Sequence, residues 1–265
     1  MADTLNLFFV GDIVGKPGLD IAMSLIPNFL KKYQVDCLII NGENTTDGKG
    51  IAEEHAKALF GLGAHAITTG NHVWDRWDSR KVMGADRRIL RPLNYPRENG
   101  GNGFIVVDLG EKGKVGVLNV QGRIYMQPID DPMRTADWAI SKMHEETKII
   151  FVDFHADASA EKMAMGWHLD GKVSACIGTH THTPTADGRI LPRGTAYLSD
   201  VGMTGPYDSV LGMKKELAIK RLTLGTPHKY EVATNDVRIC AVFVQADVET
   251  GKALKLEHII YPSFG

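Results

Sequence analysis

Short apolar runs, many of them β-branched, recur along the chain at 5–10, 37–40, 64–68, 104–109, 115–120, 149–154, 173–177 and 239–244. Apolarity is near-continuous within each run rather than alternating, which predicts strands buried on both faces. Between them, 21–33, 52–62 and 134–145 space their apolar residues as helices do. Strand and helix thus alternate, so the pattern predicts an α/β fold with a largely parallel or mixed sheet covered by helices. The loosest stretch is 97–103, with three glycines and two asparagines, and a tight connection explains it as well as a boundary does. With no repeat and no low-complexity tract, the expectation is one domain over 1–265.

Five of the predicted strands run into polar clusters. Residues 5–10 lead to Gly11-Asp12, 37–40 to Asn41-Gly42-Glu43-Asn44, 64–69 to Gly70-Asn71-His72, 149–154 to His155, and 173–178 to His180-Thr181-His182. In parallel α/β sheets ligands bind outside the carboxyl ends of the strands, so groups just after separate strands can converge on one spot. Any one cluster has an ordinary explanation: Gly-Asp is commonly a turn, and Asn-His a capping pair. Five together describe a single site. Glycines before Asp12, Glu43 and Asn71 fit it, because a residue without Cβ permits a sharp strand exit. The His180-Thr181-His182 alternation is read as an extended segment with both imidazoles on one side.

The donor set of Asp12, Glu43, Asn44, Asn71, His155, His180 and His182 offers nitrogen and hard oxygen and no thiolate, which suits Mn²⁺, Fe or Zn²⁺. Seven such donors exceed the needs of one ion. A dinuclear centre would use them, with Glu43 as the bridging carboxylate, and metals ~3.5 to 4 Å apart can clamp a phosphoryl group and generate a hydroxide nucleophile between them.

Composition narrows the rest. A hydrophobic fraction of 43% over 265 residues supports a sizeable core. Thirty Lys plus Arg against 32 Asp plus Glu give a net charge of -2, so no global field favours stable nucleic-acid or anionic-membrane binding. Cys37, Cys176 and Cys240 lie far apart and read as small buried hydrophobes in a reducing compartment. No apolar run reaches the ~18 residues of a membrane span and no signal peptide is apparent, so the expected location is the cytoplasm. A homo-oligomer is a weak expectation only.

The clusters also match a known family. Gly11-Asp12-Ile13-Val14-Gly15-Lys16-Pro17-Gly18, Asn41 to Asn44, Gly70-Asn71-His72-Val73-Trp74-Asp75, Arg91-Pro92 with Asn94-Tyr95-Pro96, Asp130-Asp131-Pro132, Asp153-Phe154-His155-Ala156, Gly178 to His182 and Asp200 to Asp208 resemble the YmdB-like bacterial metallophosphoesterases, described as 2',3'-cyclic-nucleotide phosphodiesterases. The resemblance implies a calcineurin-like fold, two mixed sheets between helices, and a di-iron or di-manganese centre. It also implies one metal site of Asp12, Glu43, Asn44 and His182, a second of Glu43, Asn71, His155 and His180, and His72 as the proton donor to the leaving oxygen. General phosphoesterases of the superfamily carry Asp-x-His on the first strand, whereas Asp12 precedes Ile13-Val14. After Asn44 the family has small residues and Gly-Phe-Gly, while this chain has Thr45-Thr46-Asp47-Gly48-Lys49-Gly50, a departure that bears on substrate preference.

The expected reaction is in-line attack of the hydroxide on a 2',3'-cyclic phosphate, with His72 delivering a proton. Arg123 is a candidate phosphate contact set against a surface salt bridge, and Trp74, Trp77 and Tyr207 are candidate base-stacking residues set against core packing. The rival expectations are a phosphomonoesterase, nucleotidase or phosphoprotein phosphatase on the same site, and a non-catalytic metal-dependent sensor.

Overall fold

The computed structural model describes residues 3–264. Its first half runs β1 (Thr4–Val10), α1 (Gly15–Lys32), β2 (Cys37–Asn41), α2 (Glu53–Gly61), β3 (Ala66–Thr68), α3 (Trp77–Ala85) and β4 (Ile89–Leu90). There follow β5 (Phe104–Asp108), β6 (Lys114–Gln121), α4 (Pro132–Met143), β7 (Ile150–His155), α5 (Ser159–Leu169) and β8 (Ala175–Thr179). The chain closes with β9 (Arg189–Ile190), β10 (Ala196–Leu198), β11 (Gly205–Pro206), α6 (Lys215–Leu224), β12 (Val237–Asp247) and β13 (Ala253–Tyr261).

Two mixed sheets result. One has the order β11-β12-β1-β2-β3-β4 with β13 on the far side of β12; β1 to β4 are parallel and the β12 pairings antiparallel. The other is β5-β6-β7-β8-β10-β9, parallel from β6 to β10 and antiparallel at both edges.

The strands are apolar on both faces because each face meets a different layer. Leu7 and Phe9 of β1, Ile39 of β2, Phe151 of β7 and Ile177 of β8 fill the space between the sheets, where the Phe9 and Phe151 rings stand 4.9 Å apart. The alternate residues Phe8, Val10, Leu38 and Ile40 pack under the helices of the first sheet. Val152, Phe154 and Cys176 do the same under α4 and α5. This is the calcineurin-like sandwich of two mixed sheets flanked by helices.

Element boundaries move by a few residues from the sequence-based ones, most at α1, which begins at Gly15 instead of 21. Helices α3, α5 and α6 and strands β4, β9, β10, β11 and β13 are additional. The 97–103 stretch is irregular connection, as expected. Cys37, Cys176 and Cys240 are free and buried. Among the described residues no helix is long and apolar enough to cross a membrane.

Candidate metal centre

The carboxyl ends of β1, β2, β3, β7 and β8 bring the predicted donors together. Asp12, Glu43 and His155, all fully buried, offer ligand atoms that lie within 4.8 Å of one another. The other donors join in two groups. Asn44 Nδ2 is 3.5 Å from Asp12 Oδ1 and 3.1 Å from His182 Nε2, and His182 Nε2 is 3.9 Å from Asp12 Oδ1. On the other side His155 Nε2 lies 2.9 Å from Glu43 Oε2, 3.0 Å from Asn71 Oδ1 and 3.1 Å from His180 Nδ1. The His180 amide donates to Asp12 Oδ2 at 3.2 Å, which ties the two groups together.

Several glycines make this convergence sterically possible. A Cβ on Gly70 would stand 2.2 Å from His155 Nε2, inside the imidazole, so the strand exit that carries Asn71 can cross β7 only without a side chain. A Cβ on Gly178 would collide with the Ser199 carbonyl at 1.8 Å.

The His180-Thr181-His182 segment departs from expectation. It is not extended: β8 ends at Thr179, and His180 and His182 take φ of 96° and 63°. Left-handed backbone costs a non-glycine residue about 1–2 kcal/mol, so other contacts must hold it. Lys162 and Asp200, both buried, supply them. Lys162 Nζ donates to the Thr179 carbonyl at 2.8 Å and to Asp200 Oδ2 at 2.5 Å, while Asp200 Oδ2 accepts from Thr181 N (3.1 Å) and Thr181 Oγ1 (2.8 Å). The bend, not alternation, aims the two imidazoles.

Hydrogen bonds behind the ligands set their tautomers. The Leu211 carbonyl can only accept, so His182 carries its proton on Nδ1 (3.0 Å) and keeps Nε2 bare toward Asn44. Thr179 Oγ1 donates to Asp153 Oδ1 at 2.6 Å and therefore accepts from His155 Nδ1 at 3.0 Å, so the His155 proton facing Glu43 Oε2 is the one on Nε2, the position a cation would take. Asp153 also accepts from Asn41 Nδ2 (3.0 Å) and Thr68 Oγ1 (2.5 Å), linking the two sheets below the site. Sequence reasoning gave Asp153, Thr179, Lys162 and Asp200 no role. For Asp153 a signal exists: it lies two residues before His155 in a strand, hence on the same face, as a carboxylate in an apolar run.

The electrostatics are those of crowded, desolvated donors. Burial pushes the Asp12 carboxyl up. Burial also opposes charge on Glu43 and His155, but each outweighs it for the other: the imidazole holds Glu43 down and the carboxylate holds His155 up. Burial, with the His155 cation alongside, lowers His180 to about 3, which leaves it neutral. Burial raises Asp153 to about 7.

Asn44 Oδ1 is buried with no hydrogen-bond partner, and Glu43 Oε2 is buried with only the His155 Nε2 contact at 2.9 Å. Orphaned acceptors at the centre of such a cluster are what a cation would satisfy. An amide flip, which exchanges oxygen and nitrogen without moving the frame, turns Asn44 Oδ1 toward Asp12 and His182. The residues present therefore fit a metal centre.

His72 lies at the rim, with its side chain 30% exposed. Its backbone N–H donates to Glu43 Oε1 at 2.5 Å and its Nδ1 lies 2.9 Å from Asp75 Oδ2, which also accepts from Lys49 Nζ at 3.1 Å. Thus the segment that departs from the family pattern reaches the site through Lys49. Arg123 pairs with Asp131 at 2.8 Å, the salt-bridge alternative. Trp74 packs on Tyr95 with ring centroids 5.0 Å apart, and Trp77 is 66% exposed. His65, His144, His168 and His258 bond to main chain or surface side chains elsewhere.

Two mixed sheets with a donor cluster at their joined carboxyl ends define a phosphoesterase-type α/β sandwich. The chain belongs to the YmdB-like family, whose model matches residues 8–259. It is 44% identical over 256 residues to the 2',3'-cyclic-nucleotide 2'-phosphodiesterase of Bacillus subtilis (strain 168), a phosphoric diester hydrolase, covering 97% of each chain. A crystal structure described as a novel phosphatase from Mycoplasma pneumoniae superposes with a TM-score of 0.92 at 36% identity, covering 98% of this chain and 94% of that one. A hypothetical protein from Thermus thermophilus gives 0.90 at 35% identity, covering 97% and 99%.

Proposed function

We propose that this chain is a dinuclear-metal phosphodiesterase that opens 2',3'-cyclic nucleotides. The observation that carries the reading is the set of seven nitrogen and oxygen donors at five strand ends, with Asn44 Oδ1 among them buried and unpartnered. Kinship with the Bacillus subtilis diesterase supports the substrate. Asp12, Glu43, Asn44 and His182 would hold one ion; Glu43, Asn71, His155 and His180 the other. Without thiolate, the set suits Fe or Mn, with Zn as a third fit. When bound, such ions neutralise charge on phosphoryl oxygens and activate water.

The remaining work falls to the chain's own side chains. His72, oriented by Asp75 on Nδ1, presents Nε2 to the leaving ribose oxygen and donates a proton there. The Leu211 carbonyl and Thr179 hydroxyl hold His182 and His155 with Nδ1 protonated and Nε2 turned to the centre. Buried, reduced cysteines suit a cytoplasmic setting.

The test is hydrolysis of 2',3'-cyclic AMP by Mn²⁺-loaded protein beside 3',5'-cyclic AMP, an aryl phosphodiester and an aryl phosphomonoester. Fast, metal-dependent opening of the 2',3' ring, lost in Asn71→Ala, is the expected result. His72→Ala should keep its metal and lose roughly 10²- to 10⁴-fold in turnover. Inert diesters with two metals bound would overturn the substrate. The phosphatase description of the Mycoplasma pneumoniae structure favours one second reading, a phosphomonoesterase, which the monoester arm decides.

A further inference from the structure

We infer that the recess beside His182 is the base subsite of this enzyme, built to stack any nucleobase rather than to read one. The inference rests on the proposed diesterase reading and names the part of the substrate that reading leaves unassigned. The recess encloses about 310 Å³ and is walled by His182, Pro184, Met203, Tyr207, Leu211 and Phe264. That is the small end of the roughly 300–1,000 Å³ of ligand clefts, and suits one planar ring system.

Its placement points to the substrate. His182 is shared between the recess and the donor cluster: Nε2 faces Asn44 and Asp12, Nδ1 faces Leu211. One imidazole therefore separates a phosphate held by the cluster from a ring held by the recess. The larger cleft of about 650 Å³ near Arg91 and Trp138 has no donor residue in its wall.

The lining is apolar, aromatic and open. Leu211 is 51% and Phe264 48% exposed, and the Tyr207 and Phe264 rings meet edge to face at 5.1 Å. Gly202 lets Pro184 and Tyr207 close on each other, since a Cβ there would stand 2.9 Å from Pro184 Cβ and 3.0 Å from Tyr207 Oη. The two other aromatic candidates lie outside this recess: Trp74 packs on Tyr95, and Trp77 is 66% exposed.

Most polar groups of the recess are occupied; the Thr183 hydroxyl has only a 3.4 Å contact to the Thr181 carbonyl. Tyr207 Oη donates to the Met203 carbonyl at 3.0 Å, and Ser209 Oγ donates to the Pro206 carbonyl at 2.5 Å while accepting from Gly212 N. Little is left to bond a base edge. Stacking on an aromatic wall holds every base by its π-face, so the subsite should favour nucleosides over bare sugars and discriminate weakly among bases.

The experiment compares kcat/KM for 2',3'-cyclic AMP, GMP, CMP and UMP with that for ribose 2',3'-cyclic phosphate, in the Mn²⁺-loaded parent, Phe264→Ala and Tyr207→Leu. The nucleotide-to-ribose ratio should exceed 10-fold in the parent, vary little among the four bases, and fall roughly 5-fold or more in each variant. Because damage to the metal centre affects both substrates, the ratio isolates the recess. A parent ratio near one, or a ratio unmoved by both variants, overturns the inference. Calorimetric binding of adenosine 3'-phosphate against inorganic phosphate gives a readout without turnover. If the parent hydrolyses no cyclic phosphate, the diesterase reading fails, yet a nucleotide preference in binding that Phe264→Ala abolishes still sustains the recess, and no preference overturns it.

Discussion

At the scale of single residues, the site depends on atoms that are missing as much as on those present. Gly70 is the sharpest case, since a methyl there would occupy the space of His155 Nε2. Gly70→Ala should retain its far-UV dichroism but lose metal affinity by about 10- to 100-fold, the usual scale for displaced ligand support. Metal titration with elemental analysis checks this, and an unchanged affinity would refute the packing argument. Residues of this kind were readable because they interrupt apolar runs: Asp12, Glu43, Asn71, His155 and His180 each follow or end a strand, where no core role explains them. Asp153 stands out only as a carboxylate within an apolar run, and Asp200 not at all, because what they do depends on partners far along the chain, Asn41 and Thr68 for one and Lys162 for the other.

At the scale of elements, visibility in the sequence follows whether the buried residues form an unbroken apolar period, not how many there are. Helix α3 buries Ser79, Val82 and Met83, with a polar residue in the stripe, and escapes notice. Helices α1, α2 and α4 bury four, two and five residues with helical spacing, and all three were readable. Helix α6 buries only Ala218, so it has no apolar period to detect, and α5 buries Glu161 and Lys162, which break the pattern. The bend at His180 escapes the local pattern because its cause lies in α5 and after β10, not in its own sequence. Helix α4 also has a cap that can be tested. Asp131 accepts from Met133 N at 2.9 Å and Arg134 N at 3.0 Å, with Pro132 in the first turn. The Arg134 amide foremost, with the Arg123 guanidinium, holds its carboxyl below the usual carboxylate range. A depressed carboxyl stabilises the fold above its unfolded value near ~3.9 and ceases to do so as the pH falls through its folded value. Asp131→Ala should therefore cost about 1 kcal/mol in denaturant melts at pH 7, with the gap to the parent closing below about pH 4. Asp131→Asn should keep most of the cap at both. A gap independent of pH would remove the carboxylate from the account.

At the scale of the whole molecule, the two sheets are joined by an apolar layer and, at one end, by the polar cluster. The Phe9–Phe151 contact sits in the middle of that layer, both rings fully buried. Phe151→Ala should destabilise by about 3–5 kcal/mol and lower the melting temperature by roughly 10 °C. A calorimetric shift of only a degree or two would show that the layer can close over the gap. The cluster draws its donors from both sheets and from positions as far apart as Asp12 and His182. Such a site cannot assemble until the halves of the sandwich have docked, which makes metal capture a late event. Mn²⁺ present from the start of refolding should leave the refolding rate as it is and slow unfolding in denaturant, because ligands absent from the transition state act only on the native side of the barrier. The metal would then work as a latch on the lifetime of the native state, and depletion would shorten that lifetime before it altered how the chain folds.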